Sequence, residues 1–203
     1  MSILYQKYNA ALLRSPIVTK TLTTSALMAG GDLACQVLAW GAEEGKTGRQ
    51  EAFWSQRFDA RRLGNMAFFG LFLGPWLHCW YKGLERMLPT PAAAAGAVHW
   101  GHIAKRTAVD QAVNGPFICF GFFAGLGLLE GHSPAQIEAS LRQHYLNTVL
   151  LNWGFWCPAM ALNFRFLSPA YRVLGVNVSA LAWNTALSYI RFESEPHPLV
   201  DQE

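Results

Sequence analysis

A carboxylate set inside an apolar stretch is the first chemically informative feature of this chain. Asp32 lies in Gly31-Asp32-x-x-x-Gln36, and the apolar run around it extends from Ile17 to Trp40. A charge at the centre of a hydrocarbon layer costs about 2.5–3.5 kcal/mol on insertion scales unless it meets a partner or water. Gln36 is four residues on and shares a helix face with Asp32, a face that continues back through Ser25 to Thr21. The stripe Thr21-Ser25-Asp32-Gln36 has two readings. It lines a cavity in which Asp32 sets cation preference or takes up a proton, or it forms a buried ion pair or hydrogen bond that holds helices together.

A second group follows Lys105-Arg106. Arg106 and Asp110 are four apart and are expected to pair within a helix, while Asp110, Gln111 and Asn114 turn carboxylate and amide groups toward the interior. Lys105 and Arg106, or Arg61 and Arg62, are the expected partners of Asp32. His99 and His102 sit three apart without a third ligand, so no metal is expected there. His78, beside Trp80-Tyr81, reads as an interfacial polar group. The sequence contains no GxSxG, Walker-type, HExxH or dinucleotide fingerprint, so neither an enzyme nor a bound cofactor is expected.

The elements that position these groups follow from composition. Charged residues make up 14% of 203 and apolar residues 52%, a shortage of charge that would leave a soluble globule poorly solvated. A bilayer is the simpler solvent. The net charge of +3 and the lack of basic stretches alternating with aromatics argue against nucleic acid. Five stretches approach the roughly 20 residues needed to cross a membrane: Ile17–Trp40, Leu63–Tyr81, Thr107–Leu129, Tyr145–Phe164 and Val173–Ile190. Each carries polar residues, so the helices must face one another or a watery path.

Gly70-x-x-x-Gly74 and Gly121-x-x-x-Gly125 allow close helix approach, within the bundle or in a homo-oligomer. Pro75 and Pro116 are expected to kink helices or open backbone bonds. Trp40, Trp76, Trp80, Trp100 and Trp183 fall near span ends, as interfacial belts do. Gly41–Arg62 reads as a polar connection and Leu88–Ala97 as a loop. Ser133-Pro134 opens a short surface helix, Ala135–Leu146. Cys35, Cys79, Cys119 and Cys157 fall one to a stretch and read as small packing residues. Residues Met1–Val18 lack a signal-peptide pattern, which predicts an uncleaved, internally targeted membrane protein. Basic residues outside the spans divide almost evenly between the two faces and set no orientation.

The spaced residues together resemble a known family. Gly31-Asp32…Gln36, Asp59-x-x-Arg62, Gly74-Pro75-x-x-His78-x-Trp80-Tyr81 and Lys105…Asp110-Gln111…Pro116 are similar to the Mpv-seventeen and twenty-two-kilodalton peroxisomal membrane protein family. Asn152-Trp153-x-x-Trp156…Asn163-Phe164…Tyr171-Arg172…Asn177-Val178…Trp183-Asn184 resembles its C-terminal signature. Val109-Asp110-Gln111 and Val176-Asn177-Val178 most resemble the mitochondrial inner-membrane, stress-induced branch. The chain departs from the pattern at Cys157 and Met160, where the family carries Pro and Gln, with Pro158 displaced by one place; Pro169 is displaced in the same way.

The resemblance implies a small multi-spanning organelle protein, channel-like and linked to membrane potential, redox stress and mitochondrial DNA maintenance. The expectation is an all-α polytopic bundle of four to five spans over residues 1–191, followed by a disordered acidic tail at 192–203. In the mitochondrial inner membrane, or alternatively the peroxisomal membrane, it would form or gate a weakly selective passage for small solutes or ions. Asp32 and Gln36 would line it, faced by Asp110, Gln111 and Asn114, with Lys105 or Arg106 balancing charge. The alternative is an assembly protein whose polar network supports partner binding without transport.

Overall fold

The structure, a computed structural model, describes residues 3–47, 58–89 and 100–194. Six helices account for nearly all of them, with no strand among the described residues: α1 (Ile3–Arg14), α2 (Pro16–Thr47), α3 (Ala60–Met87), α4 (Trp100–Glu130), α5 (Pro134–Phe166) and α6 (Arg172–Ser194). Each of the five apolar stretches lies within one of α2 to α6. Residues 48–57 of the expected polar connection, the expected loop from Thr90 onward, His99, and the tail from 195 lie outside the described residues, and α2 itself continues through Thr47. The helix α6 itself runs on through residues 192–194.

Local chemistry sets the helix ends. Asp59, in extended backbone, caps α3 by accepting from the Arg62 amide at 2.9 Å. Gly131 closes α4 in the left-handed region (φ 86°), and the His132 amide bonds back to the Gly127 carbonyl. Ser133 and Gln136 then form a reciprocal capping box that starts α5, with Pro134 in the first turn. The short surface helix expected at Ala135–Leu146 is not a separate element. No glycine or proline follows until Gly154, so nothing breaks the helix, and α5 continues unbroken for 33 residues. Its length of about 50 Å exceeds a 30 Å hydrocarbon core.

Packing centres on α2, which lies mainly along α3 and α6, while α4 lies along α5. Gly70 and Gly74 explain how α2 and α3 come so close. A Cβ on Gly70 would fall 2.6 Å from the Ser25 Cα, and one on Gly74 2.5 Å from the Thr21 Cα. The Ser25 hydroxyl donates to the Ala67 carbonyl across the same seam at 2.7 Å. The second glycine pair differs: Gly121 faces open space and Gly125 receives the edge of the Phe69 ring. Because the atoms opposing Gly74 are backbone, Gly74→Val should destabilise the folded protein by about 1–3 kcal/mol through overpacking. Gly121→Val should be nearly neutral, and equal thermal shifts for the two variants would contradict this seam.

The distribution of polarity is inverted relative to a water-soluble globule. Lys20, Thr24, Asp32, Gln36, Arg106, Asp110, Gln111, Asn114, Arg172 and Asn177 are buried, whereas Leu22, Leu38, Phe72, Phe120, Leu150 and Phe166 are exposed. By length and apolar composition α4 is the described helix that qualifies to cross a bilayer, and less than a third of that apolar stretch is buried within the bundle.

Candidate functional site

Pro116 shapes the centre of α4. It has no amide hydrogen, and its ring would strike the carbonyl four residues earlier. The backbone answers with a π turn, Asp110–Asn114, in which the Gly115 amide reaches back to the Asp110 carbonyl. The wider turn places Asp110, Gln111 and Asn114 together inside the bundle, all buried. The Asp110 carboxylate accepts from Trp80 Nε1 at 2.7 Å, Gln111 Nε2 at 2.8 Å and Asn114 Nδ2 at 3.2 Å. One turn earlier on α3, Trp76 Nε1 donates to Asn114 Oδ1 at 2.9 Å. Trp153 of α5 donates to the Gln111 carbonyl at 2.9 Å. Trp76 and Trp80 therefore point into the bundle, not into an interfacial belt. The reason is that Asp110 and Asn114 are buried acceptors that only a neighbouring helix can satisfy.

These groups border a cavity of about 300 Å³. All five long helices contribute to its wall: Met28 from α2, Leu77 and Tyr81 from α3, Asp110, Gln111 and Asn114 from α4, Asn152, Trp156 and Met160 from α5, and Asn177 and Trp183 from α6. The wall is apolar with a few convergent amides and one carboxylate, and the volume falls at the lower end of small-molecule sites. Gln111 Oε1 is buried there without a hydrogen-bond partner, an open acceptor for a solute or water. The Tyr81 hydroxyl donates weakly to the Met160 sulfur at 3.8 Å, so the departure at Met160 faces this cavity. Asn177 Nδ2 donates to the Thr24 hydroxyl at 2.9 Å, tying α6 to α2 beside it.

Asp32 and Gln36 belong elsewhere, which corrects their expected place opposite Asp110. Asp32 Oδ1 pairs with Arg62 Nε at 2.7 Å, and Gln36 Nε2 donates to Asp32 Oδ2 at 2.7 Å. Gln36 also accepts from the Asp59 amide at 2.8 Å and donates to the Asp59 carbonyl at 3.2 Å. Gly31 is buried in the same stretch. Asp32, Gln36, Asp59 and Arg62 thus form a latch between α2 and the first turn of α3, because the α3 cap presents backbone groups that Gln36 reads two at a time. Arg62 is 47% exposed at its side chain and Asp32 only 1%. Arg62→Gln, which strands a buried carboxylate, should cost about 2–3 kcal/mol. Asp32→Asn, which leaves Arg62 free to turn to water, should cost about 1 kcal/mol. Chemical denaturation of the two variants checks the order, and an equal or reversed order would contradict the latch.

The expected Arg106–Asp110 pair also gives way. Arg106 turns to Glu85 of α3, and Arg172 pairs with the same carboxylate oxygen. Both guanidiniums lie over the Phe164 ring, at 5.1 and 5.5 Å from its centroid. Three uncharged donors already hold Asp110, whereas Glu85 is the carboxylate within reach of both arginines. Lys105 is exposed and takes no part. Asn163 donates to the Arg172 carbonyl at 3.0 Å, and Trp183 packs against Phe155. Pro75 lies inside α3, one residue past the close contact at Gly74.

Glu85 carries no role in the sequence reading, and Trp76 is placed there in an interfacial belt. A signal existed for Glu85, an acid four residues after Tyr81 and eight after Leu77 on one helix face.

Residues 127–188 match the model of the Mpv17 / PMP22 family. The chain is 27% identical over 198 residues to PXMP2/4 family protein 2 of Dictyostelium discoideum, covering 97% of this chain and 95% of that one. It is 29% identical over 183 residues to Protein SYM1 of Saccharomyces cerevisiae, with 90% and 87% covered. Peroxisomal membrane protein 2 of Bos taurus is 28% identical over 174 residues, with 85% and 82% covered. No solved structure matches.

Proposed function

We propose that this chain, which carries a Mpv17 / PMP22 family domain, is an organelle-membrane protein whose bundle forms or gates a weakly selective passage for small solutes. The observation that carries the reading is the cavity at Asp110, walled by all five long helices and holding a carboxylate with no cationic partner among the described residues. In this reading α2 to α6 cross the membrane. The apolar length of α4 supports its crossing, and the outward apolar faces of the others support theirs. Asp110 favours cations and hydrogen-bonding neutral solutes, Gln111 Oε1 offers an acceptor, and Tyr81 with Met160 narrows the chamber. The role expected of Asp32 passes to Asp110.

The placement is the mitochondrial inner membrane, supported by the resemblance of Val109-Asp110-Gln111 and Val176-Asn177-Val178 to the mitochondrial branch. The relative named Peroxisomal membrane protein 2 supports the peroxisomal alternative. The reading includes no catalysed reaction and no cofactor. A role in metabolic and stress homeostasis would follow from solute balance across that membrane.

The purified full chain in planar bilayers should conduct small ions, and in liposomes it should pass small neutral metabolites. Folded protein that does neither refutes the passage. The runner-up, an assembly protein held by its polar network, draws on the latch at Asp32 and the shared Glu85 pair. It predicts loss of partner co-purification on breaking those pairs, with solute flux absent throughout.

A further inference from the structure

The π turn leaves one backbone carbonyl of α4 without its usual donor. The Gly115 amide reaches past Gln111 to the Asp110 carbonyl, and the next residue, Pro116, has no amide hydrogen. Trp153 Nε1 of α5 supplies the missing donor to the Gln111 carbonyl at 2.9 Å. The Gln111 side chain is fixed as well, since its Nε2 donates to Asp110 Oδ2 at 2.8 Å. An ionised carboxylate only accepts, so the amide nitrogen must face Asp110 and the amide oxygen must face away. That oxygen, Gln111 Oε1, is buried without a partner on the cavity wall. Gly115 keeps open the space beside it. A Cβ on Gly115 would lie 3.4 Å from Gln111 Oε1, 3.7 Å from Trp153 Nε1 and 3.8 Å from Asn152 Nδ2. One point beside Gly115, itself on the cavity wall, is thus within reach of an acceptor on α4 and an amide donor on α5. Much of the remaining wall is hydrocarbon, including Leu73 and Leu77 from α3 and Ile118 from α4.

We propose that this corner of the cavity binds a small neutral carboxamide carried on an apolar body. The ligand N–H donates to Gln111 Oε1 and the ligand carbonyl accepts from Asn152 Nδ2, while the apolar body lies against Leu73, Leu77 and Ile118. A buried acceptor without a donor is costly, and a ligand N–H removes that cost. Other chemistries match less well. A carboxylate would meet the charge of Asp110 and has no hydrogen to give Gln111. A polyol would bury several hydroxyls against hydrocarbon without partners. A pure hydrocarbon would leave Gln111 Oε1 unpaired. The role of this corner in transport rests on the proposed passage, but its occupancy is measured without flux.

The test titrates the purified full chain in neutral detergent with benzamide, read by thermal unfolding and by calorimetry. Benzamide should raise the unfolding temperature saturably. N,N-dimethylbenzamide keeps the acceptor but has no N–H, and should bind about tenfold more weakly, the loss of one hydrogen bond to a buried group. Benzoate should also bind more weakly than benzamide. Gly115→Ala places a methyl at the point of convergence, at ordinary contact distances, so it should fold and bind benzamide about tenfold more weakly. Should it fail to fold, Asn152→Leu carries the comparison, since Asn152 is only half-buried, and the same loss is expected. No saturable stabilisation, equal binding of the dimethyl compound or of benzoate, or undiminished binding by either folded variant overturns the site. Benzamide binding without flux in liposomes supports the site and refutes the passage. Flux without benzamide binding overturns the site and leaves the passage standing.

Discussion

Glu85→Gln should destabilise the protein by about 3–5 kcal/mol, the cost of removing one partner from a buried charge group. Arg106 and Arg172 are almost wholly enclosed and meet at one oxygen of this carboxylate, itself 26% exposed at the side chain. Glutamine preserves the shape but leaves two guanidiniums over one phenylalanine ring with no opposing charge from that side chain. Glu85→Asp keeps the charge on a shorter arm and should fall between. Since the stress is electrostatic, Arg172→Met introduced into Glu85→Gln should recover part of the loss, a coupling that a double-mutant cycle measures directly. Thermal unfolding in detergent is the measurement. A Glu85→Gln protein within about 1 kcal/mol of the parent would show that the pair contributes little.

Asp110→Asn should change passage while leaving the fold nearly intact. The asparagine oxygen can still accept from Trp80 and Asn114, while its new amide group faces Gln111. Gln111 can rotate its carboxamide to meet it, because its Oε1 is unpartnered. The bonding pattern is thereby conserved and only the charge is lost. A carboxylate about 4 Å from a permeant ion in watery surroundings attracts a cation and repels an anion by about 1 kcal/mol each, so the cation-to-anion permeability ratio should fall by about thirtyfold. Asp110→Leu is the contrasting variant. It leaves three donors without an acceptor and should lower stability by about 1–3 kcal/mol for each donor that finds no water. Bilayer reversal potentials read the first effect and thermal unfolding the second. An unchanged ratio in a conducting, folded Asp110→Asn protein would remove Asp110 from the passage.

The polar positions were legible before the structure; their partners were not. Asp32 and Gln36 stand out because they interrupt hydrocarbon, and the i, i+4 spacing places them on one face. The sequence offers Asp32 four bases, Arg61, Arg62, Lys105 and Arg106, and does not choose among them. Choosing between them depends on where the first turn of α3 lands against α2, a fact set by the close approach at Gly70 and Gly74. The Arg106–Asp110 spacing pointed to a local pair that loses to Glu85, since a local pattern carries no information about a carboxylate on another helix. Tryptophans near span ends suggest an interface, yet Trp76 and Trp80 turn inward to satisfy buried acceptors on α4.

Composition and periodicity alone determined the class of object. The shortage of charge, the five apolar stretches and the polar residues inside them require helices that hide polarity from a nonpolar surrounding, and the six helices of the described residues have that form. Pro116 likewise foretold a break in regular backbone bonding within α4. Tertiary structure decided the rest. It made Asp32 a latch and Asp110 the charged wall of a cavity, and it drew Arg106 and Arg172 onto Glu85. Helical spacing says which residues share a face, but only packing says what that face meets, and for a buried charge the partner determines the function.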